Sequence, residues 1–286
     1  MSSYTLDRKV VLLTGGGSGL GAATANLLAR RGARVAIADI DGLAAENVAA
    51  GIVGPPAIGL HCDVTDLESV RTAVQRTTTE LGPIDVTIAN AGILGRGAPM
   101  RDLIPSEMTK VIQVNVTGVL NTVSCTIDSV IARRGQVVLI SSVFSYITGP
   151  GVIPYAMSKA AIEALGRGLH VELAGHGASA LTAYFSLIDT GMIRDGVDSS
   201  PAATTLLEAA SPRFLLKRIT TATAATGIVR SIEHRDAQLM MPSRWKPLAA
   251  MRGLVGPLAD RKLASDPAIH AALSRLETST TESVST

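Results

Sequence analysis

Aromatic side chains are scarce in this chain: one Trp, four Tyr and three Phe make up 3% of its 286 residues. The few that fall in apolar loops, Phe144 and Tyr146 among them, are therefore worth locating. Cysteine is scarcer still. Cys62 and Cys125 are the only two and lack paired spacing, so they read as reduced core thiols of a cytoplasmic protein rather than as a disulfide or a metal site. His61, His170 and His176 stand in unlike contexts without ligand spacing, and no metal is expected. There is no long basic run and the net charge is only +2, which argues against a nucleic-acid partner, although Arg and Lys are scattered through the last hundred residues. The opening MSSYTLDRKV has no apolar signal core, and no later run reaches the ~20 apolar residues of a membrane span. A soluble chain without a transmembrane segment is the expectation.

What is present is a chain of small apolar residues, 47% hydrophobic and 17% charged, long enough to bury one large α/β core without a linker. Short apolar runs at 10–14, 33–39, 57–63, 85–89, 136–140, 181–185 and 238–241 read as strands. Between them, helix-compatible spacing covers 43–50, 67–81, 105–125, 155–173 and 220–232, with Asp66 as a cap and Gly82-Pro83 as a stop. Strands without polar alternation, alternating with helices, call for a parallel sheet covered on both faces. An open doubly wound sheet is expected, with a ligand across the carboxyl ends of its strands.

The run VVLLTGGGSGLG, residues 10–21, joins a strand to a helix through a cluster of glycines. Gly15, Gly19 and Gly21 allow a tight turn and close approach to a pyrophosphate, and the free N–H groups of the helix start face the anion. A glycine turn by itself is equally the mark of a plain strand-to-helix connection. The second strand strengthens the dinucleotide reading, because it ends in Asp39, 18 residues after Gly21, near the distance at which a carboxylate takes the adenosine ribose. That acid favours NAD over NADP, since a 2′-phosphate would meet it with no basic residue at Ser18 or Ile40 to offset the charge.

A second informative stretch is ISSVFSYITGPGVIPYAMSK, residues 140–159. Tyr155 and Lys159 stand about one helical turn apart and project from one face. A phenol with a pKa near ~10 is a poor base unless a cation favours its phenolate, and Lys159 is placed to supply that charge. Ser142, at a strand end, is placed to hold a substrate oxygen against the Tyr155 hydroxyl.

TGGGSGLG at 14–21, NAG at 90–92, Asn115, Ser142 and the Tyr155/Lys159 pair together resemble the classical short-chain dehydrogenases/reductases, over roughly residues 7–241. The resemblance implies a single Rossmann-type domain with about seven parallel strands, exchanging hydride between NAD(P)(H) and an alcohol/carbonyl pair. It makes Tyr155 the general acid/base, Ser142 the orienter of the substrate oxygen, Lys159 a ribose ligand that modulates the tyrosine, and Asn115 the holder of a relay water. Gly15, Gly17, Ser18, Gly19, Leu20 and Gly21 would line the pyrophosphate, Asp63 and Val64 the adenine, and Asn90, Ala91 and Gly92 the adenosine ribose. After the sixth strand the family shows Pro-Gly where this chain has Ser186-Leu187. Ile188 and Thr190 carry over as nicotinamide contacts, but Leu187 resists the positive φ that glycine accepts, so the loop there is expected to run differently. A homotetramer or homodimer built on helices 105–125 and 155–173 is also implied.

Segments 143–154 and 192–216 are expected to border the reacting carbon, with the substrate loop at about 190–216 and with Phe144, Tyr146, Ile147, Ile153, Met192, Phe214, Leu215 and Leu216 as the apolar candidates. Few charges there favour a bulky hydrophobic secondary alcohol or ketone as the small-molecule substrate. The domain proper is set at 1–242 and a C-terminal extension at 243–286, ending in TSTTESVST, whose composition suits disorder. Within the extension Pro247, Gly253, Gly256 and Pro257 are expected to break any long helix, leaving short helices packed on the body or on a neighbour, in preference to a lid or a membrane contact. The competing functional class is a dinucleotide-sensing binding protein on the same fold without turnover.

Overall fold

The apolar runs become strands because a β-branched or aliphatic side chain on both faces of a parallel sheet has somewhere dry to go. In the computed structural model, which describes residues 4–212 and 214–284, the chain runs β1 (Val10–Thr14), α1 (Gly19–Arg30), β2 (Arg34–Asp39), α2 (Gly42–Ala50), β3 (Ala57–His61), α3 (Leu67–Glu80) and β4 (Val86–Ala89). It continues through α4 (Pro105–Ile112), α5 (Gly118–Ala132), β5 (Gln136–Ser142), α6 (Ile153–Ala174), β6 (Ser179–Phe185), α7 (Gly191–Ile193), α8 (Pro201–Ala210), α9 (Thr221–His234) and β7 (Gln238–Met241). Three further helices follow: α10 (Lys246–Ala250), α11 (Arg252–Ala264) and α12 (Pro267–Val284). Asp41, Asp66, Ser200 and Thr220 cap α2, α3, α8 and α9 with their side chains, each satisfying a backbone N–H that the first helical turn leaves unpaired.

The seven strands form one sheet in the order β3-β2-β1-β4-β5-β6-β7, and every neighbouring pair is parallel. All seven residues of β5 are buried, as a central strand covered on both faces requires. One face packs Val11, Leu13, Val35, Ile37, Ile88 and Val138 under residues of α1 and α9; the other packs Leu12, Leu60 and Val70 on the α3 side and Val137, Leu139 and Ile162 on the α5 and α6 side. The chain winds outward from β1 to β3 and then restarts on the far side of β1 with β4. A crevice therefore opens at the carboxyl ends of β1 and β4.

Three expectations need correction. The single helix at 105–125 is α4 and α5 joined by a π turn, Gln113–Thr117, and it extends to Ala132. By length and composition the 28 residues Pro105–Ala132 resemble a membrane span, but Val119, Val123 and Val130 lie buried in the core. The extension does fold as separate helices, with α10 and α11 short, but Pro257 ends neither of these: it sits inside α11. That segment is held from outside: Arg252 pairs with Glu163 of α6, and Leu263 packs with α8 and α12. The backbone of 278–284, assigned to disorder by composition, continues α12, and the last two residues lie outside the described ones.

At the amino ends of the strands, opposite the crevice, the carboxylate of Asp85 is buried and accepts from Lys9 Nζ at 3.0 Å, Arg133 Nε at 3.1 Å and the Val10 N–H at 3.0 Å. It ties β1, β4 and the end of α5 together. Asp85→Ala leaves a buried N–H and two cations unmatched, and about 2–3 kcal/mol of stability should be lost in urea denaturation with dinucleotide affinity of the residual folded protein unchanged.

Candidate active site

The glycine turn leaves β1 with Gly15 at φ +65 and enters α1 with Gly19 at φ +52, conformations that side-chain-bearing residues rarely take. Space demands glycine as well: a Cβ on Gly21 would lie 2.0 Å from the Gly15 carbonyl oxygen, and one on Gly15 would lie 2.7 Å from Ala91 Cα. Ser18 is the N-cap of α1 but makes no side-chain capping bond, so the first-turn N–H groups keep their donors. Ser18 and Gly19 are exposed, whereas the Leu20 side chain is buried in the core and offers only its backbone. Thr190, at the start of α7, lies against the turn, 3.7 Å from where a Gly19 Cβ would sit.

Asp39 closes β2 beside the turn. Its Oδ2 accepts from the Gly17 N–H at 2.8 Å and its Oδ1 from the Asp41 N–H at 3.0 Å, which fixes the carboxylate and leaves lone pairs over. Asn90, expected in the ribose wall, gives its side chain to the glycine turn. Its Nδ2 donates to the carbonyls of Thr14 at 3.0 Å and Gly15 at 2.8 Å, so it clamps the turn from β4. Thr14, which the sequence reading passed over, returns the contact by accepting the Asn90 and Ala91 N–H groups on Oγ1 at 3.2 and 3.3 Å. Val64 is buried against Gly118 and holds Asn121 through its carbonyl, while Asp63 accepts from the N–H and hydroxyl of Thr65. Both remain at the carboxyl end of β3, with most of the Val64 side chain given to the core.

Ser142, Tyr155, Lys159 and Asn115 converge beyond the end of β5. Ser142 Oγ donates to the Phe185 carbonyl at 3.2 Å and accepts from the Phe144 N–H at 3.3 Å. Lys159 Nζ donates to the Ile140 carbonyl at 3.0 Å and stands 5.5 Å from the centre of the Tyr155 ring. Asn115, fully buried in the π turn, accepts from the Ile93 N–H at 2.8 Å and donates to the Ile93 carbonyl at 2.8 Å and Ser158 Oγ at 3.0 Å. Its side chain thus braces the 90–93 loop against α6, and Gly92 is open there because a Cβ would sit 3.2 Å from Asn115 Oδ1 and 3.5 Å from Lys159 Nζ. Ser158 and Ser141, both unforeseen, pin the first two turns of α6: Ser158 Oγ donates to the Tyr155 carbonyl at 2.7 Å, and Ser141 Oγ to the Lys159 carbonyl at 3.0 Å.

Beside the lysine expected to favour its phenolate, the phenol is governed by burial and by Ser142. Burial raises the pKa of Tyr155, and its hydrogen bond with Ser142 offsets part of that. Burial pushes Lys159 down to about 8, so a cation that is ordinarily permanent sits near its titration point.

Ser142 and Tyr155 open into a cavity of about 950 Å3, its mouth to solvent included, and no charged side chain lines it among the described residues. Phe144, Ile147, Met192 and Leu216 line it as expected. Tyr146, Ile153, Phe214 and Leu215 do not: Phe214 and Ile153 face solvent, and Tyr146 and Leu215 pack around Trp245. Leu94, Leu206, Trp245 and Leu276 complete the wall. The last two come from the extension, where α12 stacks Ile269, Ala272 and Leu276 on Leu206 of α8. A period of three to four in Ile269, Ala272, Leu273 and Leu276 was the available signal. Leu187, expected to resist the positive φ that glycine accepts, is not among the residues of positive φ, and its carbonyl accepts the Ile219 N–H at 3.1 Å beside a bridge from Ile188 to Ile219.

A family model described as short chain dehydrogenase matches residues 9–199. Zerumbone synthase of Zingiber zerumbet is 37% identical over 175 residues, 60% of this chain and 66% of that protein. Secoisolariciresinol dehydrogenase of Forsythia intermedia is 37% identical over 174 residues, 60% of this chain and 63% of that protein. The matched stretch spans just under two thirds of each relative's length. Among solved structures, a short-chain type dehydrogenase/reductase from Mycobacterium marinum superposes with a TM-score of 0.73 at 28% identity, covering 82% of this chain and 95% of that one.

The buried lysine carries a stability signature. Between about pH 8 and its ordinary value of 10.5 the folded chain binds fewer protons at Lys159 than the unfolded chain, so this group makes stability rise with pH across that window, while below about pH 8 its full cost is present and constant. Lys159→Met should therefore raise Tm by a few degrees at pH 7, with the gain shrinking toward pH 10, in paired thermal melts.

Proposed function

This chain belongs to the short-chain dehydrogenase family, and on that premise we propose that it is an NAD-dependent oxidoreductase acting on a bulky, apolar secondary alcohol or ketone. Membership makes it a nicotinamide-dependent oxidoreductase of the alcohol/carbonyl type in general. The observation that carries the finer reading is the meeting of Ser142 and Tyr155 at the head of a cavity without charged lining, beside the glycine turn.

The residues present suit a dinucleotide. The cradle between Gly15 and Gly21 tolerates no side chain, the start of α1 has donors to spare, and the fixed carboxylate of Asp39 can accept from ribose hydroxyls. With a carboxylate there and the uncharged Ser18 and Ile40 around it, a 2′-phosphate is disfavoured, which supports NAD over NADP. Gly17, Ser18, Gly19, Leu20, Asp63, Val64, Ala91, Gly92, Ile188 and Thr190 are the remaining contacts proposed, Leu20 through its backbone and Asn90 through the turn it clamps. When bound, the nicotinamide supplies or takes the hydride.

In ketone reduction, the Tyr155 O–H gives its proton to the substrate oxygen as negative charge develops there, while the Ser142 hydroxyl, rotated from the Phe185 carbonyl, donates a second hydrogen bond to the same oxygen. In alcohol oxidation the proton travels the other way, and the phenolate form is required. Burial raises the phenol pKa, so reduction runs with the abundant protonated form near neutrality, whereas oxidation gains with rising pH. Lys159 near the ring opposes that rise when charged and is held by Ile140. Asn115 positions the 90–93 loop and the start of α6. The extension belongs to the substrate side of the domain, through Trp245 and Leu276.

The test is a panel of lipophilic and small polar ketones with NADH and with NADPH. Turnover should favour lipophilic members and NADH, and Asp39→Ala should narrow the gap between cofactors; preference for anionic or small polar compounds overturns the substrate reading. Tyr155→Phe should keep NADH binding, followed by fluorescence, and lower kcat by roughly 10²–10⁴. NADH binding without turnover of any carbonyl by the wild type would instead indicate a dinucleotide-sensing protein.

A further inference from the structure

Helix α11 is turned the wrong way round for a helix that only packs on its own protein. Its body-facing contacts are largely polar: Arg252 pairs with Glu163 of α6, and Asp260 accepts from the Thr148 hydroxyl at the rim of the cavity. Leu263 is the residue of α11 that joins the cluster of α8 and α12. None of its residues is buried. The outward face holds Leu254 and Leu258, one turn apart and 74% and 68% exposed, with Met251 half exposed at the preceding turn. Arg261 and Lys262 fall three and four residues after Leu258, on the same side, and neither has an ion-pair partner among the described residues.

The charge around this face is predominantly basic. From Arg244 to Lys262 there are five basic residues and one acid, Asp260; with Arg252 matched by Glu163 the net is +3 in a chain whose whole net charge is +2. At the start of the same basic segment Arg244 binds the Lys217 carbonyl, in a 214–217 loop that presents an exposed Phe214 and Lys217. A second copy meeting this face across a twofold axis would set like cations against one another. Exposed leucines between long cationic side chains instead fit the boundary of an anionic bilayer, where the leucines enter the acyl region and Arg and Lys reach the headgroups.

We propose that the outward face of α11, with Leu254, Leu258, Arg261 and Lys262, is a docking surface for a lipid bilayer bearing anionic headgroups. The contact of Asp260 with Thr148 sets that surface beside the mouth of the uncharged cavity. Docking would then bring the mouth near the phase into which an apolar substrate partitions. The surface itself is argued from exposure and charge and stands whether or not the substrate reading does.

Co-sedimentation of the full chain with vesicles of phosphatidylcholine, alone and mixed with phosphatidylserine, tests it without any turnover assay. The chain should sediment with the mixed vesicles and be released by salt. Leu254→Glu with Leu258→Glu, and separately Arg261→Glu with Lys262→Glu, should each weaken partition at least about tenfold, with NADH binding and Tm unchanged as the check on folding. No partition to the mixed vesicles, or partition unmoved by either pair, overturns the proposal. So does retention by poly-glutamate without retention by vesicles, which assigns the face to an acidic protein. An oligomer in solution that the Leu254/Leu258 pair dissolves assigns it to a second copy and overturns the proposal as well.

Discussion

The contact on which the rest of this structure depends is the close approach of the first turn to itself and to the end of β4. A Gly21 Cβ would lie 2.0 Å from the Gly15 carbonyl, and the Asn90 amide bridges the Thr14 and Gly15 carbonyls. Because no side chain intervenes, the start of α1 comes down onto the sheet at the point where strand order reverses. Asp39 from one side and Thr190 from the other are thereby brought to the same turn. The loop after β4 is then held in line with Asn115, and Asn115 with α6. One backbone contact sets the distance from the glycine turn to Tyr155.

The chemistry sits where burial works against stability. Tyr155 is raised and Lys159 lowered for the same reason, removal from water, and each would be easier to fold in a solvated position. The surrounding serines hold them there. Ser141 and Ser158 bond to the backbone of the first two turns of α6 rather than to the phenol or the ammonium, so the main chain is fixed by groups other than these two. This division, backbone bonds for position and side-chain groups for reaction, recurs at Ser18, which caps α1 without using its side chain.

The extension shows how a satellite cluster alters a site without touching its chemistry. Leu206, Ile269, Ala272 and Leu276 form a small core of their own, separate from the three under the sheet. Since α8 follows the loop that carries Thr190, and α12 rests on α8, the cavity wall is made of two segments far apart in the chain. Trp245, the single tryptophan, seals the side nearest β5. The cavity volume is thus set by pieces that can vary while the strand ends stay as they are.

Much of this was legible in the residues. Strand positions followed from apolar runs, because a parallel sheet buries both faces and needs no alternation; the glycines, Asp39, Ser142, Tyr155 and Lys159 followed from local spacing, because each acts within a turn or two of its own element. What the sequence could not determine depends on partners remote in the chain. The clamp formed by Asn90, the bracing by Asn115 and the burial that governs Tyr155 and Lys159 exist only once β4, the π turn and α6 meet. Pro257 reads locally as a breaker, yet α11 runs through it, since Arg252 and Leu263 are anchored on other helices and tertiary contacts outweigh one missing backbone bond. Local stereochemistry is written in the order of residues, whereas proton affinities and cavity walls are decided by which distant surfaces exclude water from one another.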